Sequence, residues 1–235
     1  MIDRNCYLVD KTLLIKDILD AGAKVTLFTR PRRFGKTLNI SMLRRYFEKT
    51  DEDNSYLFNG LKITETNDKY RQYMRQYPVI SISLKSMKHP TWELALNEFM
   101  KIISNEFRRY KTIIDSNKIF DSEKEEFSNI CNHRGNYSMY NFSLKLLSNC
   151  LHEIYGQKAI VLINEYDVPL ENAYFNGFYD KMINLLRSVF ESVLKTNDSL
   201  EFGILTGCLR ISKESIFMGL NNLKVNSIRF EEYSN

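Results

Sequence analysis

The sequence is poor in the residues that build most small chemical frameworks. It has four cysteines, Cys6, Cys131, Cys150 and Cys208. They show no CxxC spacing, so neither a disulfide scaffold nor a zinc ribbon can be read from them. Cys131-Asn-His133 is the one Cys/His pairing, and it lacks two further ligands at zinc-finger spacing. Reduced cysteines in a cytosolic protein are the expectation. No apolar run approaches the roughly 18 residues that span a bilayer. The first residues, Met-Ile-Asp-Arg-Asn-Cys, lack a charged-then-apolar leader. These absences exclude a membrane-spanning helix and make the cytoplasm the expected compartment. Glycine and proline are scarce, at 9 and 4 in 235 residues, and no repeat or low-complexity tract is present. A strong charge of either sign is missing too: 33 basic residues face 29 acidic ones, a net +4. That balance allows a polyanionic partner without requiring one.

What remains is an ordinary globular composition, 43% hydrophobic and 26% charged, long enough for one sizeable domain with a core. Along the chain, short β-branched and aromatic runs alternate with helical spacings. Strands are predicted at 25–29, 78–84, 158–163, 201–206 and around 224–229. Helices are predicted over 10–20, ending at Ala21-Gly22, and after residue 37, where Leu38, Met42 and Tyr46 recur on one face. Two more are predicted at 91–111 and 138–155. A long helix then carries Met182, Leu185, Leu186, Val189, Phe190 and Val193 on one face, and a short one lies near 213–218. Residues 51–76 read as a polar insertion with short helices, and 115–137 as a charged, weakly patterned stretch. Unbroken apolar strands separated by helices imply a parallel sheet covered on both faces.

The motif that carries chemistry is Arg30-Pro-Arg-Arg-Phe-Gly-Lys-Thr37. A phosphate-binding Walker A loop reads GxxxxGK[ST]: glycines allow the turn, main-chain amides at a helix start cradle phosphate, Lys reaches the β/γ oxygens, and the hydroxyl holds Mg²⁺. Gly35-Lys36-Thr37 is intact, whereas Arg30 stands at the first glycine. Placement between a predicted strand and a predicted helix weighs against a merely solvated basic turn. Arg30, Arg32 and Arg33 either line the phosphate site or keep the loop hydrated, and Pro31 stiffens the turn before Phe34. A second motif follows the most apolar strand, Ile160-Val-Leu-Ile163, in Asn164-Glu165-Tyr166-Asp167. In P-loop ATPases such a strand ends in Asp-Glu, the Asp serving Mg²⁺ and the Glu the attacking water. Asn164 offers a neutral oxygen in its place, a loss on the order of a few kcal/mol of charge interaction. Asp167 is a partial substitute.

These segments resemble the AAA-ATPase-like family of predicted microbial P-loop ATPases. The resemblance rests on Tyr7-Leu-Val-Asp-Lys-Thr12, Thr29 to Asn39, Val161 to Pro169, and Leu205-Thr-Gly-Cys-Leu-Arg-Ile-Ser-Lys-Glu-Ser-Ile-Phe217, which together span nearly the whole chain. The family loop also begins Arg-Pro-Arg-Arg, which accounts for Arg30. The family pattern has Leu-Ile-Asp-Glu-Tyr-Asp where this chain has Asn164. Members commonly continue into a helical lid and a PD-(D/E)XK nuclease-like domain, so residues 1–235 are expected to be the ATPase core alone. By the same resemblance, Thr206 is a sensor of the γ-phosphate and Arg210 a candidate for stabilising charge. Asp10 and Lys11 lie near the base of the nucleotide.

The resulting expectation is a three-layer α/β P-loop NTPase fold with a mainly parallel sheet. The strand before the loop lies beside the one ending at Thr206, the Asn164 strand comes next outward, and ATP sits at the strands' carboxyl ends. Lys36 would bind phosphates, Thr37 and Asn164 would serve Mg²⁺, and Glu165 would orient water. Three readings follow: a Mg²⁺-dependent ATPase, a nucleotide-holding pseudo-ATPase impaired by Asn164, and a nucleic-acid backbone binder. A homo-oligomer is compatible with each, and a membrane partner with none.

Overall fold

The apolar runs become strands buried from both sides. The computed structural model describes residues 9–208, 216–217 and 223–226. Val25–Thr29 (β1), Val79–Ser83 (β2), Ala159–Asn164 (β3), Leu200–Gly207 (β4) and Leu223–Asn226 (β5) form one sheet in the order β2-β3-β4-β1-β5, with every pairing parallel. The expected neighbours are therefore found: β1 lies beside β4, and β3 is next outward. Register aligns the ends. Thr29 faces Gly207, Asn164 faces Thr206, and Ser83 faces Asn164. The carboxyl termini of four strands thus finish along one rim, where open α/β sheets bind ligands.

Strand periodicity divides the core. Ile160 and Leu162 of β3 pack toward one face, Val161 and Ile163 toward the other, and all four are fully buried. On the first face lie α1 (Leu13–Ala21), α2 (Lys36–Phe47), α3 (Lys62–Glu65) and 3₁₀ turns at Ser55–Phe58 and Asp68–Tyr73. Ile15, Leu43, Phe47 and Phe58 join the core there. On the second lie α4 (Trp92–Arg108), α5 (Asp121–Cys131), α6 (Tyr137–Tyr155), α7 (Val168–Phe175) and α8 (Tyr179–Leu194). This is the expected three-layer architecture. α1 stops at Gly22, whose φ of 56° is the left-handed conformation that ends helices. No helix among the described residues is long and apolar enough to cross a membrane.

Three local expectations are corrected. The stretch 115–137 contains α5, whose acidic first half hides the helical period, leaving Phe127, Ile130 and Cys131 as the buried anchors. The segment after β3 is two helices, separated at Asn176-Gly177, where Gly177 has φ 77°. The buried face of α2 is Ile40, Leu43, Tyr46 and Phe47, so Leu38 is exposed and Met42 half-buried. The predicted helix near 213–218 and the strand beyond residue 226 lie largely outside the described residues.

The free edge of β2 is covered rather than open. The Ser81 amide donates to Glu106 Oε1 at 2.7 Å, and the Tyr110 hydroxyl donates to the Val79 carbonyl at 2.7 Å. Arg109 pairs with both Glu106 and Glu48. Unpaired strand groups that would template another chain are satisfied from within.

Candidate functional site

β1 delivers the chain to the rim at Thr29. The Arg30 amide then donates to the Gly207 carbonyl at 3.1 Å, anchoring the loop to the end of β4. Arg33 (φ 70°) and Gly35 (φ 75°) both take left-handed backbone, the kind of residue that lets successive main-chain amides curl toward an anion. Gly35 is the residue before α2, and no side chain caps that helix. Its first amides lack helical partners and carry the positive end of the dipole. A Cβ on Gly35 would meet nothing within 4 Å, so its positive φ, not crowding, calls for glycine.

Lys36 is only 8% exposed. Its ammonium donates to the carbonyls of Arg30 (2.8 Å) and Pro31 (2.9 Å) and to Cys208 Sγ (3.2 Å). The loop is thereby wrapped around its own lysine. Thr37 is exposed beside it, as are Pro31, Arg32, Arg33 and Phe34. Arg32 reaches Glu171 of α7 at 3.4 Å, an exposed pair of little energetic weight.

Asn164 is the hub of the opposite wall. The buried Thr206 hydroxyl donates to Asn164 Oδ1 at 2.7 Å. That bond turns the carboxamide nitrogen toward Thr37 Oγ1 and Ser83 Oγ, each at 3.3 Å. Thr206 and Asn164 are thus brought together with Thr37, and Thr206 braces the turn from below. The Glu165 amide lies 3.5 Å from the same hydroxyl. Glu165 has φ 57°, a conformation uncommon for a side chain of its kind and a frequent mark of functional turns. Asp167 is buried, and its Oδ2 accepts from the Cys208 amide at 2.7 Å. A Cβ on Gly207 would meet Tyr166 at 2.6 Å and Asp167 Oδ1 at 2.9 Å, so the end of β4 packs directly onto this turn. Arg210 lies outside the described residues. Ser83 was missed by sequence reasoning: a serine closing an edge strand carries no signal until register sets it beside Asn164.

Three hollows lie around the first turns of α2. One, of about 500 Å³, is lined by Thr37, Lys36, Glu165, Asp167, Lys85 and Lys88, among others. A second, of about 330 Å³, is lined by Lys36, Arg30, Phe34, Thr206, Asp10 and Lys11, among others. The third, of about 290 Å³, lies against the outward face of α2 and includes Leu38, Met42, Tyr56, Leu57, Asp10 and Lys11. Asp10 has a structural task here. Its carboxylate accepts from the Thr12 amide and hydroxyl (2.8 and 2.6 Å) and the Lys62 amide (2.8 Å). Burial tends to raise that carboxyl, but the Lys62 and Thr12 donors outweigh it and hold it below its ordinary value.

Among the described residues no three His, Cys, Asp or Glu side chains converge as a metal cage. An Mg²⁺ ion carried by a nucleotide would take one or two protein oxygens and fill its shell with phosphate and water. Thr37 Oγ1 is exposed to supply one, whereas the Asn164 carboxamide turns its nitrogen to that point.

The profile of a family described as predicted AAA-ATPase matches residues 1–217. An Azotobacter chroococcum mcd 1 protein, described as an uncharacterized protein in the vnfD 5′ region, is 28% identical over 219 residues, covering 92% of this chain. The chain spans 36% of that relative's length. No solved structure matches.

Proposed function

The chain belongs to the predicted AAA-ATPase family, and we therefore propose that it binds ATP with Mg²⁺ on residues 30–37 and hydrolyses it. The observation that supports this most is the uncapped start of α2, with Lys36 and Thr37 beside it at the carboxyl rim of a parallel sheet. In this reading the amides from Arg33 to Thr37 bind the phosphates, with Arg30, Arg32, Pro31 and Phe34 shaping the loop. Lys36 exchanges its carbonyl partners for β/γ oxygens. Thr37 contributes the hydroxyl to the Mg²⁺ that the nucleotide carries. Glu165, lining the same hollow, holds the attacking water and takes its proton. Thr206 keeps Asn164 and Glu165 in register, and Arg210 is proposed to add charge stabilisation. The base lies along the exposed Leu38 and the half-buried Met42 on the outward side of α2.

A second reading is favoured by Asn164. Its neutral hub supports a module that holds nucleotide firmly and turns it over slowly. The two share the first test, nucleotide affinity with and without Mg²⁺ after Lys36→Ala. Removing a charged donor from phosphate is expected to weaken ATP binding by roughly 10- to 100-fold, about 1.5–3 kcal/mol. Unchanged affinity in a calorimetric titration would show the site assignment to be wrong.

A further inference from the structure

The hollow facing Lys36 has a second cationic wall that no motif in the sequence announced. Beyond β2 the chain runs Leu84-Lys85-Ser86-Met87-Lys88. The Leu84 amide donates to the Asn164 carbonyl at 2.9 Å, pinning the start of this loop to the second acidic motif. Leu84 and Met87 are fully buried, so the loop is anchored through these two apolar residues while Lys85, Ser86 and Lys88 stay exposed. Lys85 and Lys88 line the same hollow as Lys36, Thr37 and Glu165.

Charge in that hollow is uneven. Five cations, Arg32, Arg33, Lys36, Lys85 and Lys88, face three carboxylates, Glu165, Asp167 and Glu171. Glu171 is engaged by Arg32 and Asp167 by the Cys208 amide. Among the described residues neither Lys85 nor Lys88 makes an ion pair. Asn164 accentuates the imbalance, because a carboxylate there would neutralise one unit of this charge. A cleft with surplus positive charge selects a ligand with several negative charges close together.

We propose that Lys85, backed by Lys88, forms the far wall of an anion subsite that takes the terminal phosphate of a nucleoside triphosphate, opposite Lys36. The proposal rests on the ATP reading above and adds what it lacks, a basis for preferring triphosphate to diphosphate. Lys36 and the α2 amides grip the phosphates common to ATP and ADP, whereas Lys85 reaches across from the adjoining strand to the phosphate that only ATP has. The cation compensates in part for a metal held without the usual carboxylate.

The test is the ratio of ATP to ADP affinity in Lys85→Met, Lys85→Arg and Lys36→Ala, measured by titration with and without Mg²⁺. Lys85 is exposed, so Lys85→Met should leave the melting temperature of the unliganded protein unchanged. ATP affinity is expected to fall about tenfold or more, with ADP affinity moving less than about threefold. Lys85→Arg should restore most of the preference, and the loss should be largest without Mg²⁺. An equal fall for ATP and ADP, or none, would overturn the proposal while a strong Lys36→Ala effect left the ATP reading standing. Lack of any Lys36→Ala effect would sink both. Loss of single-stranded oligonucleotide binding in Lys85→Met, with the ATP/ADP ratio unmoved, would reassign the wall to a nucleic-acid backbone and also overturn it.

Discussion

A carboxamide differs from a carboxylate by one proton-bearing nitrogen, and at Asn164 that nitrogen points where the chemistry would want charge. Thr206 fixes the oxygen, so the NH₂ group faces Thr37 and Ser83. Both hydroxyls then use a lone pair on Asn164. Asn164→Asp would put an anionic oxygen there, and the hydroxyl protons can rotate toward it. Thr37 would then turn its free lone pairs to the metal. We expect the substitution to raise Mg²⁺-dependent turnover about tenfold, equivalent to about 1.4 kcal/mol of barrier, with a smaller change in ATP affinity. Phosphate release by purified wild type and variant measures it. An unchanged rate would mean that the neutral hub does not limit hydrolysis.

At the scale of elements, the clamp of α4 on the edge of β2 is a local stabilising unit. Glu106 accepts from a strand amide and pairs with Arg109, so Glu106→Ala strands a buried donor and leaves Arg109 with Glu48 alone. The cost should be about 2–4 kcal/mol, below the full buried-pair range because Arg109 keeps that partner and remains 27% exposed. Glu106→Gln keeps an oxygen for Ser81 and should cost less. Denaturant midpoints of the two variants give the ordering, and equal midpoints would remove the strand amide from the explanation. Elements also show what the sequence made legible. Gly35-Lys36-Thr37 and Asn164-Glu165 stand directly after apolar strands, so both spelling and position announced them. Ser83 ends a strand and Lys85 follows it just as plainly, but their meaning comes from pairing of β2 with β3, separated by about eighty residues of chain. α5 was obscured for another reason: its acidic first half supplies no apolar period. Leu38, Met42 and Tyr46 recur on one face of α2, yet the stripe that takes the core is Ile40, Leu43, Tyr46 and Phe47.

Across the whole molecule, β3 belongs to two cores at once. Leu162 packs with α1 to α3 and Ile163 with α4 to α8. Truncating either to Ala should cost about 2–5 kcal/mol. The single tryptophan, Trp92, packs against the second core only. Shared burial along β3 predicts that Leu162→Ala shifts the Trp92 fluorescence transition as far as it shifts far-UV circular dichroism. Separated transitions would instead make the two faces independent folding units.

The lysine that rests on the carbonyls of Arg30 and Pro31 has one last implication. Those bonds hold the loop curled from inside, in the way a template holds a cast, so its shape is set while the chain folds. On the proposed reading, an incoming phosphate would have only to trade places with two oxygens and would not need to gather a wandering backbone. Little configurational freedom is left to lose at that moment, and more of the attraction between ligand and loop survives as affinity.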